Sequence, residues 1–228
     1  MSRLFQRRPL AGLAALVGLG LLAAGCSGGG GSAAPAGLEK TNLTVVAAPA
    51  MDSAGLYIAE DRGLFAAEGL HVTILPMKNQ AATLNSQLQG QLDVTAGNYV
   101  SYIADNSANS KADFRVLAPG SILQTGNQEI LVPGNSKITT IAQLSHKTIG
   151  VNVTNNLGTL LVKSVLSDNA VPTGSVRFVP VSFSNMSNAL ADGKVNAAWL
   201  PEPFVTQDEE KIGAQPLADT SQGSSQNL

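Results

Sequence analysis

Residues 53–76 read "SAGLYIAEDRGLFAAEGLHVTILP", and this stretch sets the fold class. Ser53 is a hydroxyl residue in front of an apolar-periodic run, so it reads as the N-cap of a helix over residues 54–62. Gly63 follows as the glycine that ends it, because a left-handed residue there costs glycine nothing. Residues 64–68 make one more turn, closed by Gly69. "HVTIL" then alternates, with Val72 and Ile74 on one face of a strand. The segment before it, "LTVVAA" at residues 43–48, is also strand-like. Strand, helix and strand in this order lay the second strand beside the first, in a parallel or mixed sheet. The stretch carries no nucleophile, no pair of metal ligands and no phosphate loop, so its role is to position other groups.

The same alternation continues outward. "AATLNSQLQG" is a helix with Ala81, Leu84 and Leu88 on one face and Gly90 at its end. "LDVTAG" is a strand and "NYVSYIADN" opens the next helix. "FRVLAPG" and "EILVPG" read as strands. A second cycle begins after Gly134. "TTIAQLSHKTIGVNV" gives a short helix and a strand, and "NLGTLLVKSVLSDNAV" a helix. "VRFVPV", "MSNALADG", "VNAAWL" and "PFVTQDEEKIG" follow as strand, helix, strand and helix, with "AQPLA" as one more strand. Strand–helix alternation of this density indicates α/β architecture, sheets covered by helices. Two runs of it joined near residues 128–134 indicate two lobes. No fixed-period repeat is visible, which argues against a solenoid.

The N-terminus stands apart. Arg3, Arg7 and Arg8 precede an apolar run over residues 10–24 that is short for a membrane span and ends in "LLAAGC". This has the form of a secretory signal of residues 1–25, cut before Cys26, with Cys26 as a lipidation site. Ala23 stands where leucine is commoner. "SGGGGSAAPAG" follows, a flexible coil that packs no core, so residues 26–40 read as a tether. The remaining body of about 200 residues is long enough for a sizeable core. Its net charge of about −5 argues against nucleic acid and against a polybasic membrane patch. Cys26 is the single cysteine and the histidines are only His71 and His146. Disulfides, thiolate catalysis and cysteine-based metal sites are therefore not expected, and no cofactor or metal is called for.

In open α/β sheets, ligands sit beyond the C-terminal strand ends, at helix N-termini. That rule selects Asp52 and Ser53 after the first strand, and Asn98 and Tyr99 after the third. It selects Gln124 before the lobe junction, Thr154, Asn155 and Thr159 in "VTNNLGT", and Trp199 and Glu202 in "WLPEPF". These are hydrogen-bonding and stacking groups without an evident general base, and no common catalytic motif is present. A cleft that binds is favoured over one that reacts. Each has a plain alternative: capping for Asp52, Ser53 and Glu202, core packing for Trp199, a turn for Asn155. Of Tyr99 and Tyr102, three apart on a helix, one packs and the other faces the cleft.

"GLYIAEDRGLFAAEGLHVTI", "LNSQLQGQLDVTAGNY" and "ALADGKVNAAWLPEPF" resemble, in that order, three segments of ABC-transporter solute-binding proteins. The similarity is to the NMT1-like group that serves nitrate, sulfonates, taurine and thiamine-pyrimidine precursors. The resemblance spans residues 41–219. It implies a type II periplasmic-binding-protein fold, with lobe one at residues 41–127, lobe two at 128–215 and a return segment, cut short, at 216–228. It also implies a lipid-anchored monomer on the extracytoplasmic face of a bacterial membrane, delivering a solute to a permease and its ATPase. The second crossover and C-terminal helices of such proteins are not evident, so bare apolar surface is expected on lobe one, at Leu64 and Phe65 first. The selected loops hold Asp52 and Glu202 but no lysine or arginine, which favours an aminopyrimidine or another amine-bearing or heteroaromatic solute. The alternatives are a nitrate-, sulfonate- or taurine-binding protein of the same type, a sensor lipoprotein that feeds no transporter, and an enzyme similar to fungal pyrimidine-precursor synthases.

Overall fold

The computed structural model describes residues 37–222. The expected signal peptide, the Cys26 lipidation site and most of the tether lie outside the described residues. Among the described residues no helix is long and apolar enough to cross a membrane.

The first lobe opens with β1 (Asn42–Ala47), a 3₁₀ turn (Met51–Ser53) and α1 (Ala54–Asp61). Gly63 at φ 66° and Gly69 at φ 75° frame the single turn α2 (Leu64–Ala67). Both lie in the left-handed region that favours glycine, so the chain reverses where the sequence requires it. β2 (His71–Pro76) then lies parallel to β1 in full register, from Asn42 opposite His71 to Ala47 opposite Pro76. Val72 and Ile74 are half-buried while Thr73 and Leu75 are exposed. α3 (Gln80–Leu88), β3 (Val94–Ala96) and α4 (Tyr99–Ala108) complete a three-stranded parallel sheet in the order β2-β1-β3.

The second lobe contains β4 (Gln128–Val132), β5 (Thr148–Val151), α5 (Leu157–Asp168), β6 (Arg177–Pro180), α6 (Phe183–Ala191), β7 (Ala197–Pro201), α7 (Phe204–Ile212) and β8 (Gln215–Asp219). Its sheet runs β6-β5-β7-β4-β8. β5, β6 and β7 are mutually parallel, and β4 is antiparallel to both β7 and β8. Alternate residues enter different cores. Ile130 and Val132 of β4, with Ala197 and Trp199 of β7, join Leu161, Val162 and Leu166 of α5. Leu131, Ala198 and Leu200 face the other way, onto Met186 and Leu190 of α6 and Val205 of α7. A sheet buried on both faces needs runs of consecutive apolar residues, hence "ILV" at residues 130–132 and "AAWL" at 197–200.

One expectation is corrected. "FRVLAPG" forms no strand. Phe114 packs on Tyr102 at a centroid distance of 5.7 Å, but Val116 and Leu117 point to solvent. A strand requires a partner, and none of the described strands pairs with this segment. Residues 215–219 form β8, the strand expected at "AQPLA", and pair with β4 at the edge of the second sheet. Leu64 is exposed and Phe65 half-buried, and Tyr57, Ile58, Leu75 and Ile103 are also exposed on the first lobe.

Candidate functional site

The loops after β1 and β7 come from different lobes and meet directly. The Met51 N–H donates to the Glu202 carbonyl at 2.9 Å. α4 and α5, one from each lobe, are also in contact. α1 and α7 follow these two loops, so partly unpaired backbone amides from one helix of each lobe lie at this junction. Such amides carry the positive end of the helix dipole and can hold polar groups.

Ser53 occupies the N-cap position of α1 and is buried, but its hydroxyl makes no capping bond. Asp52, beside it, touches solvent yet is crowded by protein. Desolvation raises its carboxyl above the ordinary range, partly countered by a backbone hydrogen bond. Next to this turn, Pro49, Met51, Ala54, Tyr57, Ile58 and Pro203 line an open apolar depression of about 530 Å³.

The loop after β3 is held by its own side chains. Asn98 caps α4, accepting from the Ser101 N–H at 3.0 Å and the Ser101 hydroxyl at 3.1 Å. Tyr102 packs inward, donating to the Thr95 hydroxyl and carbonyl at 2.8 and 3.1 Å. Its hydroxyl lies only 2.6 Å from where a Cβ on Gly97 would sit, so the loop needs glycine there. Tyr99 is left 50% exposed.

In the second lobe, Asn156 caps α5 by accepting from the Thr159 N–H at 3.4 Å, and its amide donates to Asn152 at 2.8 Å. Thr159 is buried and donates to the Val153 carbonyl. Thr154 is half-buried and Asn155 exposed. Glu202 turns toward its own helix, accepting from the Thr206 hydroxyl at 2.9 Å and N–H at 3.3 Å. Trp199 is 4% exposed. Its indole N–H donates to Thr220 at 3.2 Å and its ring lies against the backbone of Gly158, so it packs. Gln124 is exposed, and its carbonyl accepts from Ser221 at 3.1 Å.

The structure therefore brings Asp52, Ser53 and Glu202 together and puts Asn98 and Asn156 to use as caps. Sequence reasoning missed three residues. Met51 makes the link between lobes through its backbone, which no side-chain pattern signals. Asn156, not Asn155, is the cap; its position two residues before Gly158 in "NNLGT" is the available signal. Glu129 sits at the start of β4 with one carboxylate oxygen buried and without a hydrogen-bond partner. Desolvation, followed by the charges of Asp219, Glu209 and Glu202, raises its carboxyl. Among the described residues no group of three or more His, Cys, Asp or Glu could hold a metal.

Comparison with known proteins follows the geometry. Residues 50–214 match the family described as "NMT1/THI5 like". No curated protein matches the chain. The alkanesulfonate-binding protein SsuA from Xanthomonas axonopodis pv. citri, solved with MOPS bound, superposes with a TM-score of 0.68 at 20% identity, over 84% of this chain and 64% of its own. The nitrate-binding protein NrtA from Synechocystis PCC 6803 gives 0.68 at 15%, over 80% and 52%. A ligand-binding component of an ABC-type import system from Staphylococcus aureus, with zinc bound, gives 0.67 at 14%, over 80% and 62%. At these identities the likeness is one of fold: two α/β lobes of the periplasmic-binding-protein type. The chain spans between 52% and 64% of the length of these three proteins.

Proposed function

The chain belongs to the NMT1/THI5-like family, and from that premise we propose that it is the solute-binding component of an ABC importer. It works as a monomer held at the extracytoplasmic face of the membrane by lipid on Cys26, and it passes a small molecule to a permease and its ATPase. The carrying observation is the Met51–Glu202 hydrogen bond, which joins strand-end loops of opposite lobes beside the apolar depression. A solute there would be held by both lobes at once.

The solute class is argued from charge. The loops at the junction carry Asp52 and Glu202 and no lysine or arginine. Both are carboxylates, so an added anion beside them would be repelled. Helix N-termini bind anions without basic side chains, but two carboxylates oppose that here. An amine-bearing heteroaromatic solute, such as an aminopyrimidine, suits carboxylates beside an apolar wall. Its ring rests against Met51 and Tyr57 while Asp52 takes the amine. Ser53, Asn98, Tyr99, Gln124, Thr154, Asn155, Thr159 and Trp199 support or line this site.

Titration calorimetry against aminopyrimidines, taurine, alkanesulfonates and nitrate tests the reading. Binding of an aminopyrimidine is expected, weakened at least tenfold by Asp52→Asn. Tight taurine or sulfonate binding with no affinity for pyrimidines would overturn the solute class. Purified protein carrying the absorbance of bound pyridoxal phosphate would count against a purely binding role.

A further inference from the structure

β2 is an edge of the first-lobe sheet, whose order is β2-β1-β3. An edge strand presents a row of unpaired backbone groups, and proteins commonly guard it with charge, proline or shortness. The other strands that end a sheet among the described residues are guarded in these ways. β3 is three residues long. β6 carries Arg177 and Pro180, and β8 carries Pro216 and Asp219. β2 is six residues long, "HVTILP", without Asp, Glu, Lys or Arg, and its one proline stands last.

Few outward donors remain on β2. The His71 N–H donates to the Thr41 carbonyl and the Met77 N–H to the Ala47 carbonyl, both at 2.8 Å and both on the β1 side. Backbone direction alternates along a strand, so Val72, Ile74 and Pro76 turn their backbone groups away from β1. Pro76 has no N–H. Just before the strand, the Leu70 N–H is spent on the Phe65 carbonyl at 2.9 Å. Between Leu70 and Pro76 the free outward donors are therefore those of Val72 and Ile74.

This pattern is self-complementary. A second copy related by a two-fold axis at Thr73 runs antiparallel to β2. Val72 then faces Ile74 of the second copy, and Ile74 faces its Val72. Each such pair exchanges two N–H···O bonds, so both groups of both residues are used in both copies. A shift by one such pair in either direction leaves a carbonyl of Val72 or Ile74 facing Pro76, which has no N–H, or Leu70, whose N–H is spent. The side chains agree with this register. Thr73 meets its own copy, a favourable cross-strand pair. Leu75, 43% exposed, meets the exposed His71. Val72 and Ile74, half-buried on the other face, lie side by side across the junction.

We propose that β2 is a homodimerisation edge, at which two copies pair antiparallel about Thr73. Their first-lobe sheets join into one of six strands, β3-β1-β2-β2-β1-β3. A single strand edge is a small contact, so the pair belongs to the weak, exchanging class. The monomer that delivers solute and the pair are two states of one chain. The pairing uses neither Asp52 nor Glu202 and does not rest on the solute reading.

Sedimentation of the full chain in a Cys26→Ser background, which removes disulfide pairing, tests the edge. A monomer–dimer equilibrium is expected. Thr73→Lys places like charges at the axis and should weaken association at least tenfold, as should Thr73→Glu. An equimolar mixture of the two variants should recover it. Gln215→Lys, a charge on the edge strand of the second lobe, should match the parent. Amide hydrogen exchange needs no variant at the axis. At concentrations where the dimer prevails, the Val72 and Ile74 amides should slow at least tenfold more than that of Thr73. A parent that stays monomeric at every soluble concentration would overturn the proposal. Association that Thr73→Lys leaves unchanged, or that the mixture does not recover, runs through another surface and would overturn it too. Should the Thr73 variants fail to fold, the exchange pattern of the parent decides.

Discussion

Asp208 on α7 is 3% exposed, and one of its carboxylate oxygens has no hydrogen-bond partner. The other accepts from the Ser187 hydroxyl on α6. Burial raises the Asp208 carboxyl, while Ser187 and the charge of Lys211 pull it down without cancelling the effect. The folded state thus holds a proton that the unfolded state releases near the ordinary 3.8. The contribution of this group to stability is greatest below that value. That contribution falls as pH rises from the unfolded toward the raised folded value, by about 1.4 kcal/mol per pH unit within that window. Asp208→Asn keeps the shape and cannot ionise. Urea unfolding at several pH values should therefore show a difference between wild type and variant that grows from about pH 4 and then levels off. A constant difference would mean that the carboxyl does not titrate in this way. Glu129 carries the same sign of shift, but it is present in both proteins and drops out of the comparison.

At the scale of an element, α5 shows how closely the site framework is fitted. Gly158 lies in its first turn, directly over the Trp199 ring. A Cβ at Gly158 would come within 2.4 Å of a ring atom that has no room to move. Alanine normally gains about 1 kcal/mol over glycine inside a helix. Overpacking against a rigid buried ring costs about 1–3 kcal/mol, so the second effect should prevail. Gly158→Ala is expected to lower the urea midpoint and to weaken solute binding by shifting the N-terminus of α5. An unchanged or raised midpoint would show that the ring yields. The same element marks what was legible in the sequence. Strands and helices with regular apolar spacing, from "LTVVAA" to "VNAAWL", lie where periodicity puts them, because each carries its own burial pattern. "FRVLAPG" was not legible, since strand formation there depends on a neighbour rather than on its own residues. The candidate loops followed from strand ends, but the work of each side chain did not. Asn98 and Asn156 spend their oxygens on helix amides, and Trp199 fills a space under Gly158 that only the assembled lobe creates.

Across the whole molecule the lobes are unequally built. Among the described residues, the buried apolar side chains of the first lobe are Val45, Val46, Ala47 and Leu84. The second lobe buries a much longer set, among them Ile130, Leu131, Leu144, Ile149, Leu161, Leu166, Met186, Leu190 and Leu200. Each large aliphatic side chain taken fully out of water contributes about 1.5–3 kcal/mol gross, so the second lobe holds most of the driving force. The helices α1 and α2 bury no residue fully, and Ile58, Leu64, Leu75 and Ile103 face solvent. The first lobe should therefore open at a lower free energy than the second, as a separate unit. Native-state hydrogen exchange in rising urea checks this. Amides of β1 and β2 should merge into an opening that precedes the one exposing β4 and β7. A solute held by both lobes stabilises the less stable one by mass action, so saturating solute should narrow the gap. If β1 and β7 share one opening free energy without solute, the first lobe is supported by contacts that its buried side chains do not reveal, and the unequal-lobe account fails.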